Sequence, residues 1–312
     1  MKSLDKVAVC SRSFSKNTVL RKELLNAYEN VTFNDDGISL HGKSLIEFLK
    51  GHDKAIIGLE ILDEYVLSRL PELKVIGKYG VGLDKIDLAA MKRYGKRLGF
   101  VQGVNRRSVS ELALSFMISL LRNVQISYDN ILNGKWDQHI GRQLTGRTIG
   151  VIGCGNVGKD LVKLLQPFKC KILVNDIAEY LDFYKKYKLK PVEIEKLLQA
   201  SEIVTLHLPY NDLTHNIICE SRLSIMKPNA ILINTARGGL VDEIALKKSL
   251  KEKKLAGAAL DVFLCEPPSD LELLKLPNFF MTSHIGGSSE EAILAMGRGA
   301  IRGLEHNEIP SV

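Results

Sequence analysis

The sequence predicts an α/β protein of two domains in which strands and helices alternate to build a mostly parallel sheet. Three observations predict it. The stretch Thr148 to Asp176, TIGVIGCGNVGKDLVKLLQPFKCKILVND, reads as strand, glycine turn, helix and second strand. From Thr148 onward, short apolar runs keep alternating with helical patterns, which places helices on both faces of a parallel sheet. At 312 residues the chain can bury two cores.

The central stretch also predicts a ligand. Ile149 to Ile152 is a strand, Gly153, Gly155 and Gly158 stand in GxGxxG spacing, and Val157, Leu161, Leu164 and Leu165 recur at helical spacing. In a dinucleotide site the first glycine makes a tight turn, the second admits a pyrophosphate against the backbone, and the third packs helix on strand. The helix N-terminus then offers N–H donors to the phosphates. The second strand, Ile172 to Val174, leads to Asp176, 176 − 158 = 18 residues past the last glycine, close to the offset of about 20 for an acid that binds a ribose 2′-hydroxyl. GxGxxG alone also fits an ordinary βαβ turn; the flanking strands, the helix and the acid favour a Rossmann unit. The acid suits NAD and would repel the 2′-phosphate of NADP.

Before this unit, Lys6 to Cys10 reads as a strand and Leu20, Leu24, Leu25 and Tyr28 as a helical stripe. Ala55 to Gly58 is a second strand, Val66, Leu67 and Leu70 mark a helix, and Leu73 to Ile76 is a third strand. That strand runs into GKYGVGLDKID, where Gly77, Gly80 and Gly82 shape a loop around Lys78 and Tyr79 at a carboxyl strand end, the place where α/β folds bind ligands. Arg97 to Val101 is a further strand. Ser108 or Ser110 then caps a helix whose stretch Leu112 to Leu121 is apolar nearly all round, so it is buried on several sides, at a domain junction or a subunit interface. Later strands are Ile203 to Leu206, Ala230 to Ile233 and Ala256 to Leu260. The last helix, Glu290 to Leu304, folds back onto the first domain.

Composition narrows the function. The net charge of +7 and pI near 9.0 come from lysine runs in or beside helical patterns, without the basic and aromatic clustering that nucleic-acid binding requires. Attraction of a small anionic substrate is the better use of that charge. No apolar run approaches the roughly 20 residues of a membrane span, and the N-terminus does not read as a signal peptide. Five scattered cysteines show neither disulfide framework nor metal spacing, which points to the cytoplasm.

Three later strand ends carry reactive side chains. Arg237 follows Ala230 to Ile233, and Gly238 and Gly239 leave its guanidinium uncrowded; such an arginine holds a carboxylate through two parallel hydrogen bonds, or merely caps a surface loop. Asp261 and Glu266 follow the next strand in LDVFLCEPP. His284 lies in SHIGG, before a serine helix cap. A histidine with a carboxylate partner is a proton-transfer unit. Metal ligation is the rival use, but the spacings it needs are absent, so no metal is expected.

The segments GVGLDKIDL, GVNRRSVSELAL, TGRTIGVIGCGNVGKDL, HLPYNDLTHNII, NTARGGLVDEIAL, LDVFLCEPP and SHIGGSSEEA, in this order, resemble the D-isomer-specific 2-hydroxyacid dehydrogenases, and GKYGVGLDKID most resembles their phosphoglycerate dehydrogenase-like branch. The resemblance implies an NAD-binding Rossmann domain, residues 105–284, inserted into a smaller flavodoxin-like substrate-binding domain, residues 1–104 and 285–312, with the active site in the cleft. It also implies a homodimer built partly on the helix after residue 106. The family's catalytic residues fall on Arg237, Glu266 and His284. Its NAD contacts fall on Gly153, Gly155, Asn156, Val157, Gly158, Asp176, Ile177, His207, Leu208, Pro209, Thr214, Thr235, Ala236, Arg237, Asp261, His284 and Gly286, and its substrate contacts on Tyr79, Gly80, Val81 and Arg237. Asn156 stands where relatives often carry arginine, and Gln102-Gly103 replaces a frequent Thr-Pro. Many phosphoglycerate dehydrogenases carry a C-terminal regulatory domain; this chain stops at Val312, so serine feedback through one is not expected.

The expected activity is reversible hydride transfer between NAD and a small D-2-hydroxy acid, with 3-phosphoglycerate as one candidate. Arg106, Arg107, Lys78 and Lys43 could serve its phosphate or could be solvated surface residues. The alternatives are an NAD-sensing, corepressor-like binding protein and a dehydrogenase of formate or phosphite; Glu266 argues against formate, for which the family pattern carries glutamine.

Overall fold

The computed structural model describes residues 2–311 and divides the chain into two units, one running to Asn105 and resuming at Gly287, the other Arg106–Gly286.

In the first unit, β1 (Ser3–Val9), β2 (Tyr28–Phe33), β3 (Lys54–Ile57), β4 (Val75–Lys78) and β5 (Arg97–Gly99) form a parallel sheet in the order β2-β1-β3-β4-β5. This is the flavodoxin-type order, whose switch point lies between β1 and β3. The central strands are apolar on both faces, as a sheet covered twice requires: Val7, Ala8, Val9, Ala55, Ile56 and Ile57 are fully buried. The helix Glu290–Gly303, capped by Ser289, completes this unit rather than extending the other. It lies so close to the sheet that a Cβ on Gly77 would sit 2.5 Å from Ala300 O and one on Gly99 2.1 Å from Gly303 O. Only glycine permits that approach.

One expected stripe is corrected. Leu20 and Leu24 are buried on the helix Thr18–Ala27, but Leu25 is exposed and Tyr28 opens β2. Helical spacing ran on past the true helix end because the strand begins at once, without a glycine or proline to separate them.

In the second unit, β6 (Thr148–Ile152), β7 (Lys171–Asn175), β8 (Lys190–Pro191), β9 (Ile203–Leu206), β10 (Ile231–Asn234), β11 (Gly257–Leu260) and β12 (Phe279–Met281) form a seven-stranded parallel sheet. Its order is β12-β11-β10-β9-β6-β7-β8. The chain leaves β6 in one direction and returns beside it as β9, so the switch point lies between these two strands. β8 and β12 have only two and three residues, too few for an apolar pattern to reveal.

The helix Arg106–Leu121 covers this sheet through Ala113, Phe116, Met117 and Leu121. It starts before Ser108 and Ser110, so neither serine caps it. Ser110 Oγ instead donates to Asp160 at 2.7 Å, and Ser108 Oγ to Gly286 O at 2.6 Å. Among the described residues no single helix is long and apolar enough to cross a membrane.

Candidate active site

The glycine turn is built as its spacing requires. Gly153 has φ +93°, and a Cβ there would meet His207 O at 2.5 Å, because the turn after β6 lies directly against the end of β9. A Cβ on Gly158 would meet Gly153 O at 2.1 Å, so the third glycine lets the helix Asn156–Leu165 close onto the turn. A Cβ on Gly155 would meet nothing within 4 Å. That open space above the backbone, at a helix N-terminus, is the volume a pyrophosphate needs. Cys154, between the glycines, is buried, and burial pushes its thiol up to about 11, so it is inert.

Asp176 closes the cradle. Its carboxylate accepts from Cys154 N at 2.5 Å and Ala178 N at 2.8 Å. These bonds fix the acid in place, and a carboxylate retains further lone pairs for ribose hydroxyls. Ile177 beside it is fully exposed, a bare apolar side chain at the cradle's rim. Beyond β9, His207 is half-buried, with Nε2 3.0 Å from Thr205 Oγ1 and Nδ1 buried without a partner; desolvation of the ring depresses its pKa to about 3, so the ring is neutral. Thr235 Oγ1, after β10, is also buried and unpartnered. Two orphaned polar atoms at neighbouring strand ends, beside an open glycine cradle, fit a polar cofactor that is hydrogen-bonded there. Thr214 has a local task, since its Oγ1 donates to Pro209 O at 2.7 Å and holds the loop after Leu208 and Pro209.

The next strand ends carry the reactive side chains. Asn234, buried at the end of β10, accepts from Ala236 N at 3.0 Å and donates to Arg237 O at 2.8 Å, so the loop that presents Arg237 is clamped by one side chain. Arg237 is half-buried, and its Nη1 donates to Ala236 O at 2.7 Å. Gly238 and Gly239 let the Arg237 loop pack closely on its neighbours. A Cβ on Gly238 would lie 1.9 Å from Phe263 O, and one on Gly239 2.6 Å from the Tyr210 ring.

Glu266 and His284 meet. His284 Nδ1 lies 2.8 Å from Glu266 Oε2 and 3.0 Å from Oε1. A carboxylate only accepts, so Nδ1 donates to it, and no hydrogen bond among the described residues engages Nε2. Both side chains are 39% exposed, which leaves the pair open to a substrate. His284 has φ 56°, an unfavourable conformation for a residue with a Cβ, and Asp261 accounts for it. The buried Asp261 carboxylate accepts from Thr282 Oγ1, from Ile285 N at 2.7 Å and from Gly286 N at 2.8 Å, while His284 N donates to Asp261 O at 2.9 Å. Asp261 thus anchors the histidine loop. Gly286 spends its N–H on Asp261 and its carbonyl on Ser108.

In the first unit, Tyr79, Gly80 and Val81 follow β4. The Tyr79 ring is buried edge-on against Phe14, and its hydroxyl lies 3.1 Å from Ser13 Oγ. Gly80 has φ +123°.

Asn234 and Thr282 escaped the sequence reading and Ser108 was read only as a helix cap: Asn234 and Ser108 bond backbone atoms, and Thr282 bonds the buried Asp261 carboxylate.

A parallel sheet with a glycine cradle at its switch point, and an acid–base pair at its later strand ends, defines a dinucleotide-binding α/β protein. The chain belongs to the D-isomer specific 2-hydroxyacid dehydrogenase family: the family's NAD binding domain matches residues 114–286. It is 35% identical over 283 residues to D-3-phosphoglycerate dehydrogenase of Methanocaldococcus jannaschii, covering 89% of this chain and 54% of that protein. With glyoxylate reductase of Thermococcus litoralis it shares 35% identity over 240 residues, 74% of this chain and 72% of that one. The chain thus spans about half the length of the first of these relatives. The crystal structure of D-lactate dehydrogenase from Aquifex aeolicus, complexed with NAD and lactic acid, superposes with a TM-score of 0.84 at 25% identity, covering 96% of this chain and 94% of that one. The unit Arg106–Gly286 is accordingly an NAD-binding domain.

Proposed function

We propose that the protein is an NAD-dependent dehydrogenase that interconverts a small D-2-hydroxy acid and its 2-keto acid. The observation that carries this reading is the Glu266–His284 pair, with Nδ1 held at 2.8 Å and Nε2 free to exchange a proton with a substrate oxygen. Bound NAD supplies or accepts the hydride. The N–H groups around Gly155, Asn156 and Val157 hold its pyrophosphate, Asp176 its ribose hydroxyls, and the His207–Pro209 and Thr235–Ala236 segments line the rest. Arg237 holds the substrate carboxylate and polarises the keto oxygen. His284 Nε2 donates a proton to that oxygen during reduction and removes it during oxidation, while Glu266 keeps the ring oriented and stabilises its charged form. Tyr79, Gly80 and Val81 are retained as contacts to the substrate. General acid–base help of this kind is worth about 10²- to 10⁴-fold in rate.

The substrate is proposed to lack a phosphate. Arg107, one cation that could have served it, pairs with the buried Asp160 at 2.9 Å, and Lys78 is buried with its amine on Gly58 O. Glyoxylate and hydroxypyruvate fit better than 3-phosphohydroxypyruvate. A kinetic panel of these three with pyruvate, followed at the NADH absorbance, tests this. Turnover with the unphosphorylated acids is expected. A preference for the phosphorylated one would reverse the substrate choice, and NADH binding without turnover on any would favour a sensor.

We further propose a homodimer. Val124, Tyr128, Ile131, Leu132, Trp136 and Ile140 are exposed large apolar side chains within residues 124–140, beside a groove of about 400 Å³ partly lined by Ile126, Ile140 and Phe279. A second copy would cover this face.

A further inference from the structure

We propose that Glu243 is a positioning residue for the acid–base pair, holding the loop that presents Glu266 to His284. The proposal rests on the dehydrogenase reading only for its kinetic consequence.

Glu243 is the first residue of the helix Glu243–Lys251, whose N-cap is Asp242. Asp242 takes the N–H groups of Ile244 and Ala245, at 3.1 and 3.0 Å, so Glu243 is not needed as a cap. Its helical neighbour at i+4, Lys247, turns away to Asp270 and Glu272 at 2.8 and 3.1 Å. Instead, Glu243 Oε1 reaches off the helix and accepts from Leu264 N at 2.8 Å. Burial raises its pKa, an expense that a surface carboxylate in a first helical turn would avoid.

The loop it grips is the one that matters for the pair. Phe263 N donates to Glu266 Oε1 at 3.2 Å, and Glu266 meets His284. Gly238, next to Arg237, packs closely on the same backbone between Phe263 and Leu264. Glu243 therefore ties the start of its helix to the loop that carries Glu266. Without its carboxylate, Leu264 N loses its acceptor and the Glu266 carboxylate loses its fixed distance to Nδ1.

The experiment uses ¹⁵N-histidine-labelled protein without substrate, in alkaline buffer where imidazoles are neutral. The His284 signal is assigned by its loss in His284→Ala. Wild type shows His284 as the Nδ1–H tautomer. In E243A the signal moves to a mixture of tautomers, and in E243Q, whose amide oxygen still accepts from Leu264 N, it returns to the wild-type position. Should E243A not fold, E243L refills the volume and carries the same expectation. A single Nδ1–H tautomer in the folded E243A or E243L protein would overturn the proposal, as would E243Q behaving like E243A. With a turned-over keto acid, kcat of E243A falls on the order of tenfold with KM for NADH unchanged. Absence of turnover in wild type would sink the dehydrogenase reading and leave the tautomer result standing on its own.

Discussion

At the scale of single residues, the site rests on side chains that satisfy backbone groups. Asp261 holds His284 in a positive-φ conformation through three hydrogen bonds to its carboxylate. Asn234 clamps the Arg237 loop from both sides. His207 gives a pH dependence whose sign follows from the desolvation of its ring. Its pKa falls from 6.5 to about 3 on folding, so the folded state keeps the ring neutral while the unfolded chain is protonated below pH 6.5. Its contribution to stability is therefore complete above 6.5 and is lost as pH falls from 6.5 toward 3, by up to about 1.4 kcal/mol per pH unit. Thermal unfolding of the cofactor-free protein between pH 4 and 7 is expected to lose this slope in His207→Gln. An unchanged slope would mean that another group titrates there.

At the scale of elements, the exposed apolar face from Val124 to Ile140 carries its own prediction. Trp136 is 81% and Ile140 98% exposed, and burying such side chains contributes about 1.5–3 kcal/mol each. Placing charges there with W136D/I140D is expected to convert a dimer into a monomer in sedimentation velocity. A double variant that still sediments as a dimer would locate the interface elsewhere.

The same scale shows what was legible in the sequence. Strands such as Ile203–Leu206 were read to the residue because a strand buried on both faces is a continuous apolar run. The glycine cradle was legible because each glycine has a separate reason: close backbone approaches at Gly153 and Gly158 and open space above Gly155. β2 was hidden behind a helical stripe, and β8 and β12 are too short to register. The Glu266–His284 contact was suggested by residue type and strand-end position, but joining residues 18 apart needed the geometry of the loop. Glu243 was invisible as a positioning residue because its partner is a backbone N–H, which has no sequence signature.

At the scale of the whole molecule, chain order separates the roles. The unit Arg106–Gly286 interrupts the other, and Glu290–Gly303 returns to complete the first sheet. The NAD-binding unit carries both the glycine turn and the Glu266–His284 pair. The glycine turn is proposed to hold the cofactor and the later strand ends to act on the substrate.

The central claim is that His284 moves the proton while the glycine cradle, Asp176 and the segments after β9 and β10 hold the cofactor, and a single-turnover comparison tests it directly. Enzyme preloaded with NADH is mixed with saturating 2-keto acid, and NADH oxidation is followed for wild type and His284→Ala after NADH affinity is measured by fluorescence. The account predicts NADH binding within a few-fold of wild type in the variant and an oxidation rate lowered by about 10²- to 10⁴-fold. An oxidation rate in His284→Ala close to that of wild type would contradict it.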